Sequence, residues 1–105
     1  MPQYTRAEAE RQLAKVRPLL EDLQRRVAAY RRRPTDPVAR EIEALLREIA
    51  ELGAEVKDPE QGLIDFRTQR RGSEVYLCWK LGEGDRISFW HDLEAGFAGR
   101  KIIED

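Results

Sequence analysis

Apolar positions along the first half of the chain follow a helical rhythm. Leu13, Val16, Leu20, Leu23, Val27 and Tyr30 succeed one another at spacings of 3, 4, 3, 4 and 3, which keeps all six on one stripe of a helix. Thr5-Arg6-Ala7-Glu8 opens that helix as a capping box, and the pattern predicts a helix from Arg6 to Arg33. Pro34-Thr35-Asp36-Pro37 is the turn, with Asp36 placed as N-cap and Pro37 at the first helical position. Val38, Ile42, Leu45, Ile49 and Leu52 then repeat at 4, 3, 4 and 3 until Gly53 ends the second helix in a left-handed conformation. Two striped helices joined by a short turn pack as antiparallel neighbours. Pro18 removes a hydrogen bond within the first helix. A bend is expected there, where the second helix runs out and the first meets the rest of the protein.

Beyond Gly53 the period shifts towards 2, the mark of strands. Strands are expected over Ala54–Asp58, Leu63–Arg67, Glu74–Leu81 and Arg86–Asp92, with a turn at Arg71-Gly72. The tail from Gly96 to Arg100 is too glycine-rich for regular structure and should pack by inserting Phe97. The fold class is therefore α+β, in one domain: a long antiparallel helical hairpin over 5–53, then a small antiparallel sheet of three to four strands with a tail over 54–105.

The connection between the last two strands decides which side chains can meet. Val75, Leu77, Trp79 and Leu81 form the apolar face of one strand, and Ile87 and Phe89, followed by His91, that of the next. Putting these on one side requires an odd loop of three or five residues, and a three-residue loop closing on Gly84 in a left-handed conformation fits. Cys78 then falls on the opposite face with Tyr76, Lys80, Ser88, Trp90 and Asp92, and Asp65 joins it because Ile64 and Phe66 turn to the core. On this register Cys78 and His91 cannot pair as nucleophile and base. An even loop would make them diagonal neighbours.

Composition narrows the picture. The chain has 105 residues, 41% hydrophobic and 37% charged, with one Cys, one Met and no Asn. This is a folded domain rather than a disordered chain. A single cysteine excludes an internal disulfide and fits a reducing cytoplasm. The first residues carry no apolar stretch of signal-peptide type, and the longest apolar run, Val75 to Trp79, is far too short for a membrane span. The scarcity of heat-labile residues beside many charges suggests a thermophile.

Residues 1–33 carry nine basic and four acidic side chains, and residues 34–60 three and eight. A basic helix thus faces an acidic one. The arginines at 25, 26 and 31–33 answer that partner and their own helix C-terminus, so nucleic-acid binding is disfavoured. Leu19 and Leu46 lie off the hairpin seam, which points to a homodimer through a four-helix bundle, with packing against the protein's own sheet as the competing explanation.

Chemistry is sparse. Gly82-Glu83-Gly84 lacks the third glycine and following helix of a dinucleotide loop, and no phosphate-binding GK[ST] occurs. One His and one Cys cannot build a structural zinc site, and a Cys78, His91, Asp65 metal site is opposed by the strand parity, so no metal or cofactor is expected. The catalytic candidates are Asp65, Cys78, His91 and Arg100. Tyr76, Trp90 and Phe97 are binding candidates, Trp90 because an aromatic on the second sheet face needs a cover.

The segments Gly62-Leu63-Ile64-Asp65-Phe66, Glu74-Val75-Tyr76-Leu77-Cys78-Trp79-Lys80-Leu81-Gly82-Glu83, Trp90-His91 and Ala95-Gly96-Phe97-Ala98-Gly99-Arg100 together resemble the bacterial domain-of-unknown-function 2203 family, whose helical first half also fits. Arg67 and Lys101-Ile102 depart from that pattern, standing near expected prolines. The resemblance implies a small cytosolic bacterial protein with no nameable activity, and Asp65, Cys78, His91 and Arg100 as the matching polar positions. The leading expectation is a non-enzymatic structural or interaction domain, dimerising through its hairpin and meeting a protein partner. The alternatives are a small enzyme or ligand-binding module using those four residues, and nucleic-acid binding through the arginine cluster.

Overall fold

The computed structural model describes residues 2–104. Helix α1 covers Arg6–Arg32 and α2 covers Asp36–Glu51; strands β1 Glu55–Asp58, β2 Leu63–Arg70, β3 Ser73–Lys80, β4 Phe89–Asp92 and β5 Lys101–Ile102 follow. The five strands form one antiparallel sheet in sequence order. This is the expected α+β arrangement with one more strand: the tail has a 3-10 turn at Phe97–Gly99 and then β5, which pairs with β4.

The start of α1 is the capping box read from the sequence: Thr5 Oγ1 accepts from the Glu8 backbone N–H at 3.1 Å, and Glu8 Oε1 accepts from the Thr5 N–H at 2.8 Å. At α2 the cap is Thr35 rather than Asp36, its hydroxyl accepting from the Val38 N–H at 3.4 Å. Asp36 lies one position inside, where its charge still suits the positive end of the helix. Gly53 takes the left-handed conformation, φ 97°.

Helix α1 continues through Pro18. Helix α2 also reaches further than expected, because the Gln12 side-chain amide donates to the Leu52 carbonyl at 2.9 Å. The stripe of α1 divides in two. Ala9, Leu13, Val16, Leu20 and Leu23 are fully buried with Ile49, Ile64, Phe66, Leu77, Trp79 and Ile87 in a core between the hairpin and the sheet. Leu19 packs against the same core. Tyr30, near the hairpin turn, and Leu46, further along α2, are exposed.

The expected three-residue loop is overturned. Leu77 pairs with Trp90 and Cys78 with Phe89, so the parity across the connection is even; β3 ends at Lys80 and β4 begins only at Phe89. Ile87 is buried in the core as expected. Alternation breaks between Ile87 and Phe89, however, where the chain is irregular. Every residue from Phe89 onward is therefore flipped relative to the sequence reading. His91, Cys78 and Asp65 share the face away from the helices, and Trp90 lies on the helix side opposite Leu77. The connection is held by Trp79, whose indole N–H donates to the Gly84 carbonyl at 3.0 Å, and Gly84 has the left-handed φ of 86° that was expected.

Candidate functional site

Three central strands each supply one polar side chain to a single spot on the far face of the sheet. Asp65 on β2 sits directly across from Cys78 on β3. His91 on β4 sits across from Tyr76, one diagonal step from Cys78. Their potential donor atoms all lie within 4.8 Å of one another. Exposure is 1% for Asp65, 0% for Cys78 and 2% for His91. Charged side chains are almost never buried this deeply without a partner.

Hydrogen bonding fixes the tautomer problem. His91 Nδ1 is 2.7 Å from the Asp92 backbone carbonyl, which can only accept, so Nδ1 carries a hydrogen. The other ring nitrogen, Nε2, faces both Asp65 oxygens at 3.0 and 3.1 Å. A bare nitrogen lone pair cannot face a bare carboxylate at that distance. A proton therefore lies between them, as the 3.0 Å separation of a hydrogen bond requires.

Electrostatics around the spot favour the protonated forms. Burial raises the Asp65 carboxyl pKa, against the opposing pull of His91 and the hydrogen bond with Cys78. The Cys78 thiol is pushed up to about 12 by burial, by the charge of Asp65 and by its hydrogen bond to that carboxylate; Arg100 opposes the rise. A thiol in this state is not a nucleophile at neutral pH. His91 also addresses Asp65 rather than the sulfur. A Cys–His catalytic dyad is thus unsupported, although the two residues are neighbours.

The remaining candidates form the surroundings. Tyr76 lies beside His91, ring centroids 5.4 Å apart, and its hydroxyl donates to Glu55 at 2.8 Å between Lys57 and Arg67. The Arg100 guanidinium stacks over Phe89, the cross-strand neighbour of Cys78, at 3.8 Å, and over Phe97 at 4.7 Å. Its Nη2 donates to Glu83 at 2.7 Å. Phe97 is 40% exposed, so it roofs the site's edge instead of inserting into the core. Trp90 stands apart on the helix side, sandwiched by Arg70 at 4.4 Å and Lys101 at 4.8 Å. It lines a cleft with Tyr4 and Val75 that does not reach the buried triad. Lys80 and Glu83 were not singled out from the sequence as site residues; the Gly-Glu-Gly segment drew attention only as a phosphate loop it could not be.

Three arginines of the α1 cluster are paired within the chain. Arg25 and Arg26 pair with Asp22, Arg26 also with Glu41, and Arg31 with Glu60 at 2.8 Å.

A family model described as an uncharacterized conserved protein, DUF2203, matches residues 28–103. The chain belongs to that family. All of Asp65, Cys78, His91 and Arg100 fall inside the matched region. Neither the curated proteins nor the solved structures contain a match. No helix among the described residues is long and apolar enough to cross a membrane.

Proposed function

We propose that this DUF2203 chain is a small metal-binding domain, holding a zinc-class divalent ion through Asp65 carboxylate, Cys78 thiolate and His91 Nε2. The single observation that carries the reading is the aim of His91. Its Nδ1–H is anchored to a backbone carbonyl at 2.7 Å, leaving Nε2 directed at a carboxylate. Histidines that ligate metals characteristically donate their other ring N–H in this way. Tetrahedral zinc with bonds of about 2.0–2.3 Å keeps its donors about 3.3–3.7 Å apart. Donors already within 4.8 Å reach that spacing by small side-chain rotations. A resident ion would also reverse the local electrostatics, because the charge that now disfavours the thiolate would be outweighed by the ion. A reducing cell interior suits such a centre, since the ligating sulfur must stay reduced.

Cobalt(II) titration tests it. One equivalent should give a sulfur-to-metal charge-transfer band in the near ultraviolet, with proton release, displaced by zinc and abolished in Cys78→Ser. Affinity should rise with pH, because binding takes a proton from the thiol. The absence of a cobalt–sulfur band at one equivalent, at pH 8, would sink the reading and leave the triad as a buried hydrogen-bonded brace.

A second role, self-association, is favoured by the hairpin tip. Val27, Tyr30, Pro34, Ala39 and Ile42 line an open groove there, flanked by Arg31 on one helix and Glu43 on the other. Under two-fold symmetry the apolar lining of one copy meets that of the other. Light scattering should report a dimer for the full chain, and a monomer for Tyr30→Glu with unchanged circular dichroism. A monomeric parent chain removes this role.

A further inference from the structure

Arg100 poses a problem that the metal centre does not solve. Its side chain is only 10% exposed. Glu83 takes one edge of the guanidinium through Nη2, and the rings of Phe89 and Phe97 cover it. Its Nε is buried and meets no acceptor among the described residues. A buried N–H without a partner is costly, and native proteins rarely leave one. A second cation stands nearby on the same terms. Lys80 lies against Phe97, its Nζ 5.6 Å from the ring centroid, and the ion pairs among the described residues give it no carboxylate. Its backbone N–H donates to the same Glu83 carboxylate that Arg100 uses, at 3.0 Å. Two cations gathered on one half-exposed ring, one with an unspent donor, make an acceptor-shaped deficit.

We infer that Arg100 Nε and Lys80 Nζ form a binding site for a small oxyanion, a carboxylate or phosphate group, seated against Phe97 at the edge of the Asp65–Cys78–His91 cluster. Oxyanions match the deficit because they bring acceptor oxygens and negative charge together, and a guanidinium edge binds them with direction as well as charge. Glu83 is already taken up by Arg100 Nη2, so it leaves the buried Nε unsatisfied. The site adjoins the proposed metal centre: Arg100 stacks on Phe89, the cross-strand neighbour of Cys78. Three protein donors would leave a tetrahedral ion one outside position. The inference itself stands on Arg100 and Lys80, whether or not an ion is present.

The test follows the Arg100 Nε–Hε resonance by nuclear magnetic resonance in the full chain, with and without one equivalent of zinc. Inorganic phosphate and acetate are titrated separately against sodium chloride of equal ionic strength. A saturable shift of that resonance with phosphate, acetate or both, absent with chloride, is expected in at least one form, and the better of the two anions identifies the source. Arg100→Lys should weaken binding at least tenfold and Lys80→Gln several-fold, read from neighbouring backbone amides, while signals from the helical core stay in place. No saturable shift with either anion in either form overturns the inference. So does a shift that Lys80→Gln and Arg100→Lys both leave unchanged. The cobalt spectrum is a separate measurement, so loss of the metal reading and loss of the oxyanion site are told apart.

Discussion

The two faces of the sheet bury similar fractions of their side chains by opposite means. On the helix side, Ile64, Phe66, Leu77 and Trp79 are shut off by α1 and by one another, and the stabilisation is non-directional burial of apolar surface. On the far side no helix covers Asp65, Cys78 and His91, yet they are as deeply buried. What covers them is a layer of long and aromatic side chains: Tyr76, Phe89, Phe97 and Arg100. An apolar core tolerates imperfect partners. A polar one loses its stabilisation when a single donor is misplaced. A fold concerned with stability alone would have little reason to build the second face this way, and that contrast is the argument for placing function there.

The sharpest way to break the contrast is to delete from the helix side. Phe66→Ala removes a fully buried ring from the middle of the core and should lower the unfolding free energy by about 3–5 kcal/mol in denaturant melts. The loss should be the same with or without zinc. A zinc-dependent loss would mean that the two faces are not separable.

Next comes Asp65→Asn. It keeps the size of the side chain and replaces the carboxyl oxygen that faces His91 Nε2 at 3.0 Å. In metal-free protein it should cost about 1–3 kcal/mol, the range for disturbing a buried hydrogen-bonded group. Zinc at about a hundredfold over its dissociation constant should stabilise the parent by about 2.7 kcal/mol. The Asn variant should show almost none of that gain. Equal stabilisation of both proteins in thermal melts would show zinc bound elsewhere.

Much of this was legible in the chain. The 3–4 spacing gave both helices, Thr5 and Glu8 the cap, Gly53 the stop, and Ile64 and Phe66 their inward direction, because each rests on local geometry. Asp65 beside Cys78 was legible for the same reason: period-2 alternation holds within a regular strand. The cluster itself was not, because it depends on parity across residues 81–88. The sequence carries two signals there, Ile87 as an inward residue and Phe89–His91 as an alternating strand. They are compatible only if alternation breaks between them, which a slip in irregular backbone allows and no residue type announces. The unsatisfied Nε of Arg100 was equally hidden, since the Glu83 that takes its Nη2 lies 17 residues away.

The smallest expected effect sharpens the comparison within the polar face. Glu55 lies at the sheet's edge, where burial pushes its pKa up, but hydrogen bonds from Lys57, Tyr76 and Arg67 outweigh this and hold it below the usual 4.5. Asp65, at the centre, is moved the other way, above 3.8, mainly by burial. Their contributions to stability therefore run in opposite directions with pH. Glu55 binds protons less readily when folded, so its contribution is present above about pH 4.5 and is lost as the pH falls through its folded value. Asp65 holds its proton more tightly when folded, so its contribution is present at low pH and is lost as the pH rises through its raised value. Metal-free Glu55→Gln should accordingly lose less stability than the parent between pH 5 and pH 3, by a few tenths of a kcal/mol for a partly exposed group. Asp65→Asn should lose more over the same interval, because the term that offsets acid loss has gone. Denaturant midpoints across that interval decide it: parallel profiles for the two variants would mean that centre and edge of the polar face are not electrostatically distinct.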